Sequence, residues 1–129
     1  PAGVEVSRLA ALCGEPIKPK SSVKGMQCSL SGLENQCNAL LTAGKSPAYV
    51  CKYCLLCVAE TLRRMAAAAL ERNPGLPVVF AGGVMSSEIV RDYITKRMQY
   101  AYFVPGKFAS DNAIGVSILA AREAGLWLK

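Results

Sequence analysis

The chain has 129 residues, of which 52% are hydrophobic and 7% aromatic, and its formal net charge at pH 7 is +6. This length suits one domain with a buried core, and no segment approaches the roughly 20 apolar residues of a membrane span. The high apolar fraction suggests that part of the surface meets a partner. Because the chain has no histidine, it cannot by itself form a Ser–His or Cys–His dyad.

The first half of the chain is predicted to be mostly helical. A short helix with an apolar face is expected over residues 3–13, and a loop rich in proline, lysine and serine over residues 14–24. A short strand is predicted at residues 25–29 and a helix at residues 31–42. The next helix, residues 47–72, is apolar on most of its circumference, so we expect it to be central and buried.

The second half alternates strands and helices. Buried strands are predicted at residues 76–81 and 100–104, with an amphipathic helix at residues 86–98 between them and a last helix at residues 111–124. This order is typical of two parallel strands joined by a helix, so the fold class is α/β. The inward-facing positions predicted for the amphipathic helix are Ile89, Val90, Tyr93 and Ile94.

Three of the six cysteines, Cys51, Cys54 and Cys57, have the spacing C-x-x-C-x-x-C, which is also found in iron–sulfur and zinc sites. On a helix, their side chains spread over about 120° of the apolar side and converge only partly on one point. No further sulfur or histidine ligand follows nearby. We therefore interpret these residues as buried, reduced and metal-free thiols.

The basic residues are scattered along the chain. Lys18, Lys20 and Lys24 lie in one predicted loop, whereas the pairs at positions 63–64 and 96–97 lie on separate predicted helices. Solvated surface is the favoured interpretation, and a face that binds a polyanion is the alternative.

A glycine pair, Gly82 and Gly83, follows the first predicted strand of the second half, and Ser86 and Ser87 come next. A strand–turn–helix of this kind presents backbone N–H groups to a phosphate or sugar, and glycine leaves space for the ligand to approach. The alternative is a plain tight turn whose serines cap the following helix.

Asp111 lies at the predicted beginning of the last helix, between Ser110 and Asn112. It is either a helix N-cap or a residue that faces a ligand. A carboxylate oxygen is a suitable ligand for iron, zinc or magnesium, but one carboxylate does not hold a transition metal alone.

Four motifs in chain order resemble the second lobe of the family once called glycoprotease or O-sialoglycoprotein endopeptidase. This family is the tRNA threonylcarbamoyladenosine synthase group of the actin/Hsp70/sugar-kinase superfamily. The motifs are P-A-G-V-E followed by L-A, S-L-S-G-L at residues 29–33, A-G-G-V at residues 81–84 and S-D-N-A at residues 110–113.

The resemblance implies a fold and a domain organisation. Residues 1–129 would be a single domain, the C-terminal lobe of an actin-like, ribonuclease H-like fold. Such a lobe has a short, mostly parallel sheet flanked by helices, with a long buried helix at its centre. The family's H-x-x-x-H metal-binding pair would belong to an N-terminal lobe that is not part of this chain.

The resemblance also implies site residues. Gly3 matches the second glycine of the family's P-G-G-P turn, which contacts the nucleotide-linked substrate. The loop that contains Gly82, Gly83, Ser86 and Ser87 would contact the adenine and ribose. Asp111 would complete the divalent metal site together with the two histidines of the other lobe.

The implied activity of the full-length protein is transfer of a threonylcarbamoyl group from its adenylate to tRNA adenosine, in the cytoplasm and with partner subunits. The isolated lobe is expected to be inactive and to self-associate, because the face that meets its own N-terminal lobe is uncovered.

Three positions depart from the family pattern: Ala2 replaces a glycine, Glu34 a lysine and Ser87 an asparagine. An alternative is therefore a degenerate, non-catalytic paralogue that serves as a nucleotide-binding or protein-interaction module. A more distant alternative is the lobe of a sugar or acetate kinase.

Overall fold

The computed structural model describes residues 2–105 and 119–125 of the chain. Within these ranges it is a mixed α/β structure dominated by helices, and residues 119–123 are helical. The last helix was predicted over residues 111–124, so most of it, including Asp111, lies outside the described residues. The elements of the first range are α1 (Ala2–Ala11), β1 (Val23–Lys24), β2 (Gln27–Cys28), α2 (Leu33–Thr42), α3 (Pro47–Arg72), β3 (Val78–Phe80), a 3₁₀ turn (Gly83–Ser86), α4 (Glu88–Thr95) and β4 (Ala101–Phe103).

Helix α3 has the predicted bounds, because strong signals mark both of its ends. Ser46 is extended and its side chain accepts a hydrogen bond from the backbone N–H of Tyr49 at 3.2 Å, while Pro47 occupies the first turn. After Arg72 the chain turns through Gly75, whose φ of 82° favours glycine. Helices α1, α2 and α4 all pack against α3, so the prediction of a central helix is confirmed.

The hydrophobic core lies where α1, α3, α4 and the inner face of the β3–β4 sheet meet. Ile94 and Val90 of α4 are fully buried, and Phe80 of β3 stacks on Phe103 of β4 with ring centroids 5.2 Å apart. Ile89 and Tyr93 pack against this core and are half-buried, so all four inward positions of the amphipathic helix are confirmed. The core cluster consists of Ala10, Leu55, Ala59, Ala66, Phe80, Met85, Val90 and Ile94.

Strands β3 and β4 are parallel, with Val79 opposite Tyr102, and α4 connects them as predicted. The prediction that these strands are buried throughout was wrong. Val79 is 65% exposed and Tyr102 is 54% exposed, because only the inner face of the sheet packs on helices of the described part of the chain. The strands are also shorter than predicted, and Tyr100 precedes β4 with a left-handed φ of 63°.

Two further local predictions need correction. The single strand expected at residues 25–29 is part of an antiparallel hairpin of β1 and β2, which turns at Gly25 with a φ of 60°. The helix expected from residue 86 begins at Glu88, because the residues before it form the 3₁₀ turn. Within the described ranges, no helix is both long enough and apolar enough to cross a membrane.

Candidate functional site

A cleft of about 760 Å³ opens between α1 and the segment that contains the 3₁₀ turn. Gly3 and Ser7 line it from α1, and Gly83, Ser86 and Ser87 line it from the opposite side. The cleft forms because α1 and the 3₁₀ turn, which are distant in sequence, both adjoin the core around α3. We call this feature the α1 cleft.

The α1 cleft brings together four of the residues selected from the sequence: Gly3, Gly83, Ser86 and Ser87. Gly82 does not line it. Its φ of 107° and ψ of 159° lie in a region that only glycine adopts readily, so this glycine serves the turn from β3 into the 3₁₀ segment. Asp111, the predicted metal ligand, lies outside the described residues.

Ser87 is the most informative residue of the α1 cleft. It is only 6% exposed, and its Oγ atom has no hydrogen-bond partner among the described residues. Leaving a buried hydroxyl without a partner costs roughly 1–3 kcal/mol. Ser87 lines the cleft while its Oγ atom is shielded from solvent, so a bound ligand can satisfy this hydroxyl once the side chain or the cleft wall shifts slightly.

The sequence alternative for Ser87, a helix N-cap, fits its position but not its contacts. Ser87 does occupy the N-cap position of α4, yet its side chain makes no capping hydrogen bond. Ser46 occupies the same position before α3 and does make that bond. The hydroxyl of Ser87 is thus left free by the helix that follows it.

Glycine is not required at Gly3 or Gly83 by packing. A Cβ atom added at either position would meet nothing within 4 Å, and neither residue has a positive φ. Both positions therefore border open space at the cleft, which is the space that a ligand needs. The fold would tolerate a side chain at both positions. A side chain there would occupy part of the cleft, so glycine keeps the cleft open.

The apolar walls of the α1 cleft were not identified from the sequence. Val4 and Val6 of α1, Leu55 of α3 and Val84 of the 3₁₀ turn line it, and none of its lining residues is charged. The sequence predicted an apolar face on α1, and on that face Val6 packs against the core whereas Val4 is 67% exposed. Apolar walls with a few hydroxyls suit a flat, uncharged heterocycle better than a phosphate.

The cysteines of α3 are less uniformly buried than predicted. Cys57 is 2% exposed, which confirms its burial, whereas Cys51 and Cys54 are half-buried. All three are free thiols in the structure, and burial raises the pKa of Cys51 and Cys54. In the part of the chain that the structure describes, no three cysteine or acidic side chains are grouped to hold a metal ion.

No family model matches this chain, and a search among curated proteins also finds no match. The resemblance to the glycoprotease family therefore stays an interpretation of the sequence motifs. The parallel β–α–β unit and the long central helix agree with the coarse α/β class expected from those motifs.

Proposed function

We propose that this chain is the nucleotide-binding half of a two-lobed protein, and that the α1 cleft holds the adenine and ribose of an adenylate. One observation carries the proposal. Residues far apart in sequence, Gly3 on one side and Gly83, Ser86 and Ser87 on the other, line one cleft that contains a buried, unsatisfied hydroxyl.

The chemistry of the α1 cleft supports a nucleoside as its ligand. Val4, Leu55 and Val84 offer apolar surface to the faces of a base, and the Ser87 hydroxyl can donate to or accept from a polar atom of the ligand. The volume lies within the usual range of small-molecule sites, about 300–1,000 Å³. Because the lining carries no charge, the phosphate of the adenylate would extend beyond the cleft.

The finer fold and activity follow from the sequence resemblance. We propose an actin-like C-terminal lobe whose full-length protein transfers a threonylcarbamoyl group from its adenylate to tRNA adenosine, in the cytoplasm and with partner subunits. The parallel β3–α4–β4 unit beside a long central helix supports this fold. The first lobe would complete the cleft and supply most ligands of a divalent metal site.

The metal part of the proposal rests on the S-D-N motif at residues 110–112. Asp111 would contribute one carboxylate to iron, zinc or magnesium held with histidines of the first lobe. Asp111→Asn in the two-lobed protein would lower its metal content, because removal of the negative charge weakens the bond to a divalent cation. Full metal content in that variant would exclude Asp111 as a ligand.

A second candidate is a non-catalytic module that binds another protein. The exposed outer face of the β3–β4 sheet favours it, since Val79 and Tyr102 present apolar surface side by side. Transferase activity of the two-lobed protein separates the candidates, because a non-catalytic paralogue would bind the nucleotide or a partner protein without turnover.

Calorimetric titration with adenosine 5′-monophosphate tests the proposed ligand. Gly83→Val places a branched side chain at the cleft, where a Cβ atom meets no neighbour. Gly14→Val is the matched control, because its Cβ also meets nothing within 4 Å and Gly14 does not line the cleft.

We expect Gly83→Val to weaken binding by about tenfold or more, which corresponds to about 1.4 kcal/mol, and Gly14→Val to leave it unchanged. Circular dichroism establishes that both variants fold. No saturable binding to the unmodified chain, or equal binding by both variants, would contradict the proposal.

A further inference from the structure

A second pocket, of about 330 Å³, shares no lining residue with the α1 cleft. Its open side is formed by Lys20, Ser21 and Ser22 of the loop before β1 and by Ser29 and Ser31 of the connection between β2 and α2. Cys57 and Thr61 of α3 line its buried side. We call it the serine pocket.

The serines of this pocket have hydroxyl hydrogens available to a ligand. Ser29 and Ser31 share one hydrogen bond, with their Oγ atoms 2.9 Å apart, so only one of the two hydroxyl hydrogens is used. The Oγ atom of Ser21 accepts a hydrogen bond from Nη1 of Arg64 at 3.0 Å, which leaves its own hydrogen free to donate. These contacts therefore leave two hydroxyl hydrogens of the pocket free to donate, one from the Ser29 and Ser31 pair and one from Ser21.

The charge around the serine pocket is positive. Among the described residues that line the pocket, Lys20 carries a positive charge and none is an aspartate or a glutamate. Arg64 does not line the pocket but contacts Ser21, which does. Glu34, in the first turn of α2, is exposed and does not line the pocket. Gly32, the N-cap of α2, lines the pocket and has no side chain to cap the helix, so the positive end of the α2 dipole lies at the pocket, where the Glu34 carboxylate offsets part of it.

We propose that the serine pocket binds the phosphate group of a small phosphorylated ligand. Phosphate accepts several hydrogen bonds, and hydroxyl donors and a lysine, which line this pocket, are groups that commonly bind it. The small volume suits a phosphate with a short substituent better than a whole nucleotide. This site is separate from the proposed nucleotide cleft, and neither proposal depends on the other.

An RNA backbone presents the same phosphate chemistry, so the experiment includes both sources. Backbone amide resonances of the isotope-labelled chain are followed during titration with inorganic phosphate and, separately, with a short single-stranded oligoribonucleotide. We expect saturable shifts at Ser31, Gly32 and Leu33 with inorganic phosphate. Absence of saturable phosphate shifts there, or shifts produced by the oligoribonucleotide alone, would overturn the proposal of a small ligand.

Substitutions test whether phosphate binding depends on the residues of the serine pocket or on the net charge of the chain. Lys20→Ala, and Ser29→Ala combined with Ser31→Ala, should each raise the dissociation constant for inorganic phosphate by about tenfold or more. Lys96→Ala removes the same charge as Lys20→Ala from an exposed position at the end of α4, outside the pocket, and should leave it unchanged. If both lysine variants weakened phosphate binding equally, the binding would depend on net charge and not on the pocket, and the proposed site would be wrong.

Discussion

The hydroxyl of Tyr53 in α3 donates a 2.6 Å hydrogen bond to Oε1 of Gln36 in α2, and this contact links the two helices. The residues that follow them in sequence, Cys37 and Cys54, are neighbours across the same helix pair. Burial raises the pKa of Cys37 to about 11, and the neighbouring Cys54 thiol adds to this effect. Burial likewise raises the pKa of Tyr53 to about 12.

These raised pKa values predict a loss of stability at alkaline pH. A thiol whose pKa is higher in the folded state contributes stability below its unfolded-state pKa, about 8.5, and loses it as the pH rises towards the folded value. Cys37→Ser removes this titration and should flatten the fall. Urea unfolding under reducing conditions, from neutral pH to about pH 10, measures the effect.

Cys28→Ser is the control for this experiment, because it removes a thiol that is exposed on β2 and is not packed between α2 and α3. An identical alkaline fall in the Cys37→Ser variant and in the unmodified chain would show that the packing of α2 on α3 does not perturb this thiol.

The two neighbouring glycines should respond differently to alanine. Gly82→Ala forces a side chain into the backbone conformation with φ of 107° and should cost about 1–3 kcal/mol of unfolding free energy. Gly83→Ala meets open space and should change stability by about 0.5 kcal/mol or less. Denaturant unfolding of both variants gives the comparison. Equal losses would mean that the turn is not as described.

Alanine substitutions of the two N-cap serines should also have different effects on stability. Ser46→Ala removes the hydrogen bond to the N–H of Tyr49 and should cost about 0.5–2 kcal/mol. Ser87→Ala removes a buried hydroxyl that has no partner among the described residues, so stability should stay the same or rise. A loss at Ser87 as large as that at Ser46 would reveal a partner for its hydroxyl in the free protein.

Local signals explain what could be predicted from the sequence. Ser46 and Pro47 at one end of α3, and Gly75 beyond the other, act within one turn of the helix, so its bounds were predictable. The exposure of Val79 and Tyr102 was not predictable, because an apolar strand has the same sequence whether one face or both are covered.

The candidate site was predictable only in part. The glycine pair and the two serines after it were recognisable as a turn before a helix, but the same residues suit a cap and a ligand site equally well. The absence of a capping bond at Ser87 was not predictable, because Ser46 and Ser87 are both N-cap serines and only Ser46 makes the bond. Ser7 and Leu55 enter the cleft through tertiary packing alone.

The exposed outer face of the β3–β4 sheet predicts self-association of this chain. Val79→Thr combined with Tyr102→Thr keeps strand-forming residues but removes apolar surface, and should shift the chain towards the monomer. Leu12→Thr, at a similarly exposed position after α1, is the control. Light scattering over a concentration series measures the effect, and a monomer at every concentration of the unmodified chain would contradict it.

A titration of the isotope-labelled chain with adenosine 5′-monophosphate, followed by backbone amide resonances, tests most directly whether the α1 cleft binds an adenylate. Saturable shifts are predicted at Gly3, Ser7, Gly83 and Ser87, and they should weaken in Ser87→Ala, which removes the unsatisfied hydroxyl. Shifts confined to the serine pocket, or no saturable shifts at the α1 cleft, would contradict the assignment of this cleft to a nucleotide.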